Sequence, residues 1–368
     1  MSAKTTELTT AQTQNTAEIK ALTPEWLTKE FLKEHFRNYY KNPELEIIKF
    51  EAKHVSANGE SFLSSMYRVK VKFTNSLEDS NDKQESIAHL IIKVAFSDED
   101  ALDVELQQNM YDKEIEFYGT IAPQINKKLQ ELGEPQLVAE CFGVCKTRRI
   151  IILEDLAVKS YETQSIQRGY NIQEAKVILK RLATFHAICA ALQDEQSDIF
   201  ANIKSGHFTR DMDTFNNIYV GNLEVIIEVI SNWPNFTVYA EKLRRLQNDL
   251  IERLRQPYDV KPNQFNTLNH DDLWCPNLML QFENESIENV VFIDFQFAYW
   301  GSSATDLHYL LASSICKSLR PHCFDELTKF YYGHLIGILT KLKYQQHIPT
   351  WSEFQEQYHQ RHFIAFAV

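Results

Sequence analysis

What is missing from this chain narrows its function first. No run of about 18 apolar residues occurs, so no transmembrane helix is expected. The stretch Met1 to Leu22 lacks the apolar core of a signal peptide. It is polar and without period, and reads as a disordered N-terminal tail. The six cysteines (Cys141, Cys145, Cys189, Cys275, Cys316 and Cys323) make no zinc-type C-x-x-C pair and read as small, reduced, buried side chains. Basic excess is also absent. Lys and Arg number 38 against 50 Asp and Glu, a net charge of -12, which argues against nucleic acid or an anionic membrane as partner. No internal repeat at a solenoid period appears. These absences leave the cytoplasm as the expected location.

What is present suits a globular protein with a real core. The chain has 368 residues, enough for two domains or one bilobed unit, and is 44% hydrophobic and 24% charged. Thr23-Pro24-Glu25-Trp26 predicts a helix start, with Thr23 as cap and Pro24 in the first turn, running to about Tyr40. Leu45 to His54, Met66 to Phe73 and Ile87 to Phe96 read as strands. The second of these alternates apolar and basic residues, as a half-exposed strand does. A turn-rich insert, Thr74 to Glu85, separates the last two. A helix is expected over Asp100 to Ile121, then strands over Pro135 to Cys145 and Arg149 to Leu153. The second half reads as helical: Asn171 to Leu192, Thr214 to Ser231, Phe236 to Arg255, Asp306 to Ser318 and Cys323 to Leu342. Strands with one helix, followed by helices, predict an α+β chain in two lobes. The expected division is a tail over 1–22, an N-lobe over 23–153 and a helical C-lobe over 154–368.

One stretch interrupts the helical half. His270-Asp271-Asp272-Leu273-Trp274-Cys275-Pro276-Asn277 reads H-x-D-x-x-x-x-N, and the apolar strand Val290 to Ile293 then ends in Asp294-Phe295-Gln296. Three fixed positions recur by chance too often to decide alone; the acidic strand end at the right distance makes coincidence much rarer. Phosphoryl transfer needs a base for an alcohol proton and hard oxygen ligands for magnesium. Asp272 has the spacing of the base, two after His270 and five before Asn277. Asn277 and Asp294 are the candidate metal ligands. Asp271 fits neither interval.

Other positions fill out such a site. Lys93, inside the apolar run Leu90 to Ala95, is costly without an anionic partner. It reads either as a phosphate-holding lysine or as an edge-strand lysine reaching solvent. Its partner would be a glutamate of the following helix: Glu105, Glu114 or Glu116. Glu114 shares a face with Met110, Phe117 and Tyr118 and is the choice. The loop Ser56 to Ser65, with Gly59 and Ser61, could cover phosphates through backbone N–H groups and hydroxyls, or be a plain hairpin turn, since it lacks G-x-G-x-x-G. Glu154 and Leu156, after the strand Ile150 to Leu153, could offer a carbonyl and an N–H to adenine, or form a strand-end turn. Asp306 reads as structural support, capping backbone N–H groups or tying the catalytic loop. His270 and His186 read as packing and hydrogen-bonding histidines. Trp274, Phe297, Tyr299 and Trp300 could line an apolar pocket or pack the lobe, and packing is the choice for most of them.

In order along residues 45 to about 345, these elements resemble the insect ecdysteroid kinase-like family, also called CHK-kinase-like, within the wider group of choline kinases and aminoglycoside phosphotransferases. The resemblance rests on Gly59-Glu60-Ser61-Phe62 with Tyr67-Arg68-Val69, Ile92-Lys93-Val94, Glu114-Ile115-Glu116-Phe117-Tyr118, Leu153-Glu154-Asp155-Leu156, Leu182 to Ala187, His270 to Asn277 and Ile293 to Gln296. It implies a two-lobed protein-kinase-like fold, with an antiparallel sheet plus helix in the N-lobe and a mainly helical C-lobe. It further implies ATP- and magnesium-dependent phosphorylation of a hydroxyl on a small molecule, such as a steroid or a detoxified alcohol. Two departures stand out. Asp271 replaces the usual Gly, with the expectation that a second charge perturbs the base. The chain also ends at Val368, earlier than expected for the family, which would leave the substrate wall incomplete.

Two rival readings remain at this point. A protein kinase would carry an H-R-D arginine, an A-P-E and a D-F-G glycine, none of which is here. A kinase-like protein that binds ATP or a ligand with weak or no catalysis would keep the fold and lose turnover.

Overall fold

Thr28, not Thr23, starts the first helix. Its hydroxyl accepts the Phe31 N–H at 3.1 Å and opens α1 (Lys29–Tyr40), while Pro24 to Thr28 form a turn closed by the Leu27 N–H on the Pro24 carbonyl. The computed structural model describes residues 24–55, 64–76, 83–95, 104–209 and 213–368. The tail over 1–22 and the stretch 56–63, which carries Gly59 and Ser61, lie outside the described residues.

Five antiparallel strands follow in the order β1-β2-β3-β5-β4: β1 (Glu46–Val55), β2 (Ser64–Ser76), β3 (Lys83–Ala95), β4 (Cys141–Cys145) and β5 (Ile150–Glu154). The two-residue period assigns their faces. Val69, Val71 and Phe73 of β2, Leu90 and Ile92 of β3, and Ile150 and Ile152 of β5 bury against Leu32 and Phe36 of α1. Ile151 and Leu153 point the other way, into the larger core with Tyr111, Ile115 and Phe117. Lys93 pairs with Ile151 in the register and shares its face. The strand period alone thus directs the lysine toward the next helix and away from α1.

That helix is longer than expected and changes form. α2 (Val104–Glu116) runs through a π-helical turn (Phe117–Ile121) into α3 (Ala122–Leu132). The π turn rotates Phe117 and Tyr118 inward, where both are fully buried. Only the last part of the expected strand over 135–145 joins the sheet. Its first part runs between the lobes instead. Arg181 of α4 (Ile172–Glu195) holds the Pro135 and Gln136 carbonyls at 2.5 and 2.9 Å, and the Phe292 N–H donates to the Leu137 carbonyl at 2.8 Å.

The second half is mainly helical. α4 begins on a capping box of Asn171 and Glu174. Then come α5 (Asp213–Ser231), α6 (Thr237–Leu246) and α7 (Leu250–Arg255). The expected single helix over 236–255 breaks at 247–249, where Asn248 and Asp249 are weak helix formers. Two small strand groups carry the motif: β6 (Tyr161–Thr163) with the hairpin β8 (Leu278–Glu283) and β9 (Ser286–Phe292), and β7 (Asn266–Asn269) with β10 (Tyr299–Ser302). α8 (Ala304–Ser314) stops short of the expected Ser318, because Ser314 and Cys316 exchange backbone hydrogen bonds with Tyr170 at 2.7 and 2.9 Å. α9 (Arg320–Lys341) packs on α4, while α10 (Trp351–Gln360) and α11 (Ile364–Ala367) close against α8. Among the described residues no helix is long and apolar enough to cross a membrane.

The α8–α10 contact carries a pH dependence. His308 stacks on Tyr358 at 3.9 Å and its Nε2–H donates to the Tyr358 carbonyl at 2.7 Å. Burial lowers its pKa from 6.5 to about 4, against the opposing pull of that carbonyl. The unfolded side chain takes its proton near 6.5 and the folded one near 4, so the unfolded state binds more protons between those values. Stability should therefore fall as pH drops through this window, by on the order of 2–3 kcal/mol from this group. Melting curves of wild type and His308→Gln should diverge between pH 6.5 and 4. Parallel curves would remove His308 as the source.

Candidate active site

Lys93 gathers one acid from each lobe. Its Nζ lies 2.9 and 2.7 Å from the two carboxylate oxygens of Glu114 on α2, and 2.5 Å from Oδ1 of Asp294. Glu114 is 1% exposed, so its charge is shielded from bulk solvent. Burial alone would lower the Lys93 pKa, but Asp294 and Glu114 outweigh it and hold the ammonium well above its ordinary value. Burial pushes the Glu114 carboxyl up, and Lys93 opposes that rise. Glu116 is turned elsewhere, 3.6 Å from Lys146. The Glu105 side chain lies outside the described residues.

Asp294 leaves β9 with φ of +69°, a left-handed conformation that Asp tolerates better than most residues. Phe295 then turns into the core. It stacks on Phe117 at 3.6 Å, meets Tyr118 edge-on and lies 4.5 Å from the His270 ring. One ring therefore joins the π turn after α2 to the loop that begins at His270. A D-F-x motif points to the acid; the stacking partner of its Phe depends on a π turn that no sequence period announces.

The loop itself is fixed from two sides. The Ile293 N–H donates to the Asn277 carbonyl at 3.1 Å, and Leu278 pairs with Phe292, so Asn277 and Asp294 leave the same end of the hairpin. His270 Nε2–H donates to the Ile293 carbonyl at 2.8 Å, which leaves Nδ1 to accept the Asp272 N–H at 3.3 Å. That assigns a neutral tautomer in a bracing role. From the other side, the Asp306 carboxylate accepts the N–H groups of His270 and Asp271, both at 2.7 Å, and faces His186 Nε2 at 3.1 Å. Of the two structural roles open to Asp306, it ties the loop; no side-chain cap forms on α8. His186 is fully buried, with Tyr331 on its Nδ1 at 2.6 Å.

Asp272 holds one donor on each oxygen. Asn277 Nδ2 donates to Oδ2 at 2.9 Å and also to the Asp272 backbone carbonyl at 2.8 Å. The Tyr309 hydroxyl donates to Oδ1 at 2.7 Å. Sequence reading missed Tyr309, although it lies three residues after Asp306 on the same helix face.

Asp271 has φ of +63°, the backbone state that glycine fills at no cost, so a Gly is the ordinary occupant of such a position. Its carboxylate is fully buried and committed. Oδ2 accepts the His207 N–H at 2.7 Å and Oδ1 accepts the Tyr258 hydroxyl at 2.6 Å. Burial raises its pKa, while His207 and Tyr258 pull it back. The second carboxylate thus anchors the segment around Gly206, where a Cβ would sit 2.6 Å from Asp271 Oδ2. Lys113 of α2 holds the same segment through the Ser205 carbonyl at 2.5 Å. Nothing in the spacing of His207, Tyr258 or Lys113 points to this network, because tertiary packing alone assembles it.

Glu154 ends β5 with its side chain already engaged: Oε1 accepts the Glu140 N–H at 2.9 Å and the Gln136 amide, and Oε2 pairs with Lys159. Leu156 opens a short turn capped by Asp155, whose Oδ1 accepts the Ala157 N–H at 3.2 Å. Phe297 stacks on His207 at 3.7 Å, Trp300 stacks on Phe200 at 5.2 Å, and the Tyr299 hydroxyl meets Thr305 at 2.5 Å. These three aromatics pack within the lobe.

The site combines a buried cation, two oxygen-bearing side chains at one hairpin end and an oriented carboxylate. Such a set can neutralise phosphate charge and orient a hydroxyl. Similar solved structures include an ethanolamine kinase from Plasmodium vivax (14% identity, 85% of this chain and 74% of that one, TM-score 0.41). A choline kinase from Streptococcus pneumoniae is similar at 14% identity (92% and 99% covered, TM-score 0.37). A choline/ethanolamine kinase family protein from Mesorhizobium loti is similar at 12% identity (80% and 87% covered, TM-score 0.38). No curated protein matches the sequence. The model of the ecdysteroid kinase-like family matches residues 58–344, most of the chain and both lobes of its kinase-like α+β fold. The chain belongs to the ecdysteroid kinase-like family, a family of small-molecule kinases.

Proposed function

We propose that this protein is an ATP- and magnesium-dependent kinase that phosphorylates a hydroxyl of a small molecule, an ecdysteroid or another steroid or xenobiotic alcohol. The observation that carries the reading is the meeting of Lys93 with Glu114 and Asp294 at the hairpin end that Asp294 shares with Asn277, whose amide holds the Asp272 carboxylate. In this reading Lys93, braced by Glu114, takes the phosphates of ATP. Glu154 and Leu156 offer their backbone to adenine, and Gly59 and Ser61 cover the phosphates.

The donor set fits magnesium. Asn277 gives its amide N–H₂ to Asp272, which leaves its carbonyl oxygen facing away from that carboxylate, and Asp294 remains 29% exposed. One amide and one carboxylate are the sparse protein ligands magnesium takes when phosphates and water complete its shell. Bound by Asn277 and Asp294, it would neutralise charge on the transferred phosphoryl group. Asp272 accepts the proton of the acceptor hydroxyl as that oxygen forms its bond to the γ-phosphorus; the bond from phosphorus to the bridging oxygen breaks and ADP leaves.

The test is incubation of the protein with ATP and a panel of sterols, phenols and alcohols, with magnesium or with EDTA. A phosphorylated product in the mass spectrum, formed only with magnesium, is the expected result. Magnesium-dependent ATP binding without turnover on any acceptor would replace this reading with a non-catalytic binding protein. Labelled peptides without any labelled alcohol would replace it with a protein kinase.

A further inference from the structure

Asp306 grips the backbone of the catalytic loop, and Tyr309, one helical turn along α8, grips its side chain. The spacing of three puts both on one face of the helix. Tyr309 Oη donates to Asp272 Oδ1 at 2.7 Å while Asn277 Nδ2 donates to Oδ2 at 2.9 Å. The terminal torsion of an aspartate is broad and two-fold. A donor fixed on each oxygen removes that freedom. Each carboxylate oxygen can accept twice, so a lone-pair direction is left on each for a further hydroxyl. Burial and the nearby Asp272 carboxylate hold the Tyr309 phenol well above its ordinary pKa, so it stays a donor. The His207 ring, 6.0 Å away and stacked on Phe297, walls the tyrosine on one side. The anchoring network of Asp271 thereby supports Tyr309 as well.

We propose that Tyr309 is a positioning residue for phosphoryl transfer, its hydroxyl holding the Asp272 carboxylate in the orientation that meets the acceptor hydroxyl. This rests on the reading of Asp272 as the base. Tyr309→Phe keeps the ring and its packing and removes only the donor.

The experiment is a double-mutant cycle on wild type, Tyr309→Phe, Asp272→Asn and the double variant, read as ADP release from magnesium-ATP with water as acceptor. Tyr309→Phe should lower kcat about tenfold, the effect of one hydrogen bond to a charged group, with the KM for ATP within twofold. In the Asp272→Asn background the same change should cost nothing further, because the residue acts through the carboxylate. An unchanged kcat would overturn the proposal, as would a loss confined to KM. Equal factors on both backgrounds would show a structural role and also overturn it. A wild-type rate in Asp272→Asn would instead bring down the base assignment and this inference with it, a failure distinct from loss of the tyrosine effect alone.

Discussion

Asp272→Asn should lower phosphoryl transfer by at least ~10²-fold while leaving the KM for ATP nearly unchanged. The two side chains have the same shape. The asparagine oxygen can still accept from Tyr309, so one of the two present contacts survives. The other reverses sense: an amide would face the Asn277 amide across the 2.9 Å contact, donor against donor. That mismatch should cost about 1 kcal/mol, small beside the loss of a proton acceptor. Melting temperature should therefore move by a few degrees at most. A folded variant with wild-type turnover would sink the assignment of the base.

Asp306→Ala should be the most destabilising single change in the loop's support. Its carboxylate is fully buried and receives the N–H groups of His270 and Asp271 and faces His186 Nε2. Truncation strands these donors where water cannot replace the acceptor. Each stranded donor costs about 1–3 kcal/mol, so a total of about 4 kcal/mol is a moderate expectation. For a chain of this size that is a fall of roughly 5–10 °C in melting temperature. Asp306→Asn should fall between the two, since one of its terminal atoms still accepts. Turnover should drop with Asp306→Ala, because the backbone that carries Asp272 loses its tether. A variant that melts with wild type and turns over normally would show that α8 does not hold the loop.

Much of the architecture is legible in the sequence. The strand period of β3 fixes the face of Lys93, and the helix period of α2 puts Glu114 on the face with Met110. Both are local regularities of the backbone, and their meeting follows once strand and helix pack. The alternation in β2 is equally local. Element ends were less legible. α1 starts at Thr28 because the chain turns after Pro24, and α8 ends at Ser314 because Tyr170 draws the next residues into backbone pairing. The second depends on a residue far away in the sequence, which no local pattern announces.

The site divides in the same way. Asp272, Asn277 and Asp294 are recognisable because their intervals along one loop and one strand are those that phosphoryl transfer would need. Asp271 looked like a charge beside the base; its backbone angle instead sends it into a buried network with His207 and Tyr258, and it anchors a neighbouring segment.

The ordered motifs, the two-lobed α+β plan and the faces on which the charged residues lie follow from the chain's local order, because periodicity and spacing are properties of a single segment. Tertiary structure alone decided which partners those charges meet. Asp306 and Tyr309 reach a loop about 35 residues upstream, Lys113 reaches Ser205, and Phe295 stacks across the lobes on Phe117. Such contacts are set by the packing of whole elements, and buried polar groups settle where their hydrogen bonds can be completed.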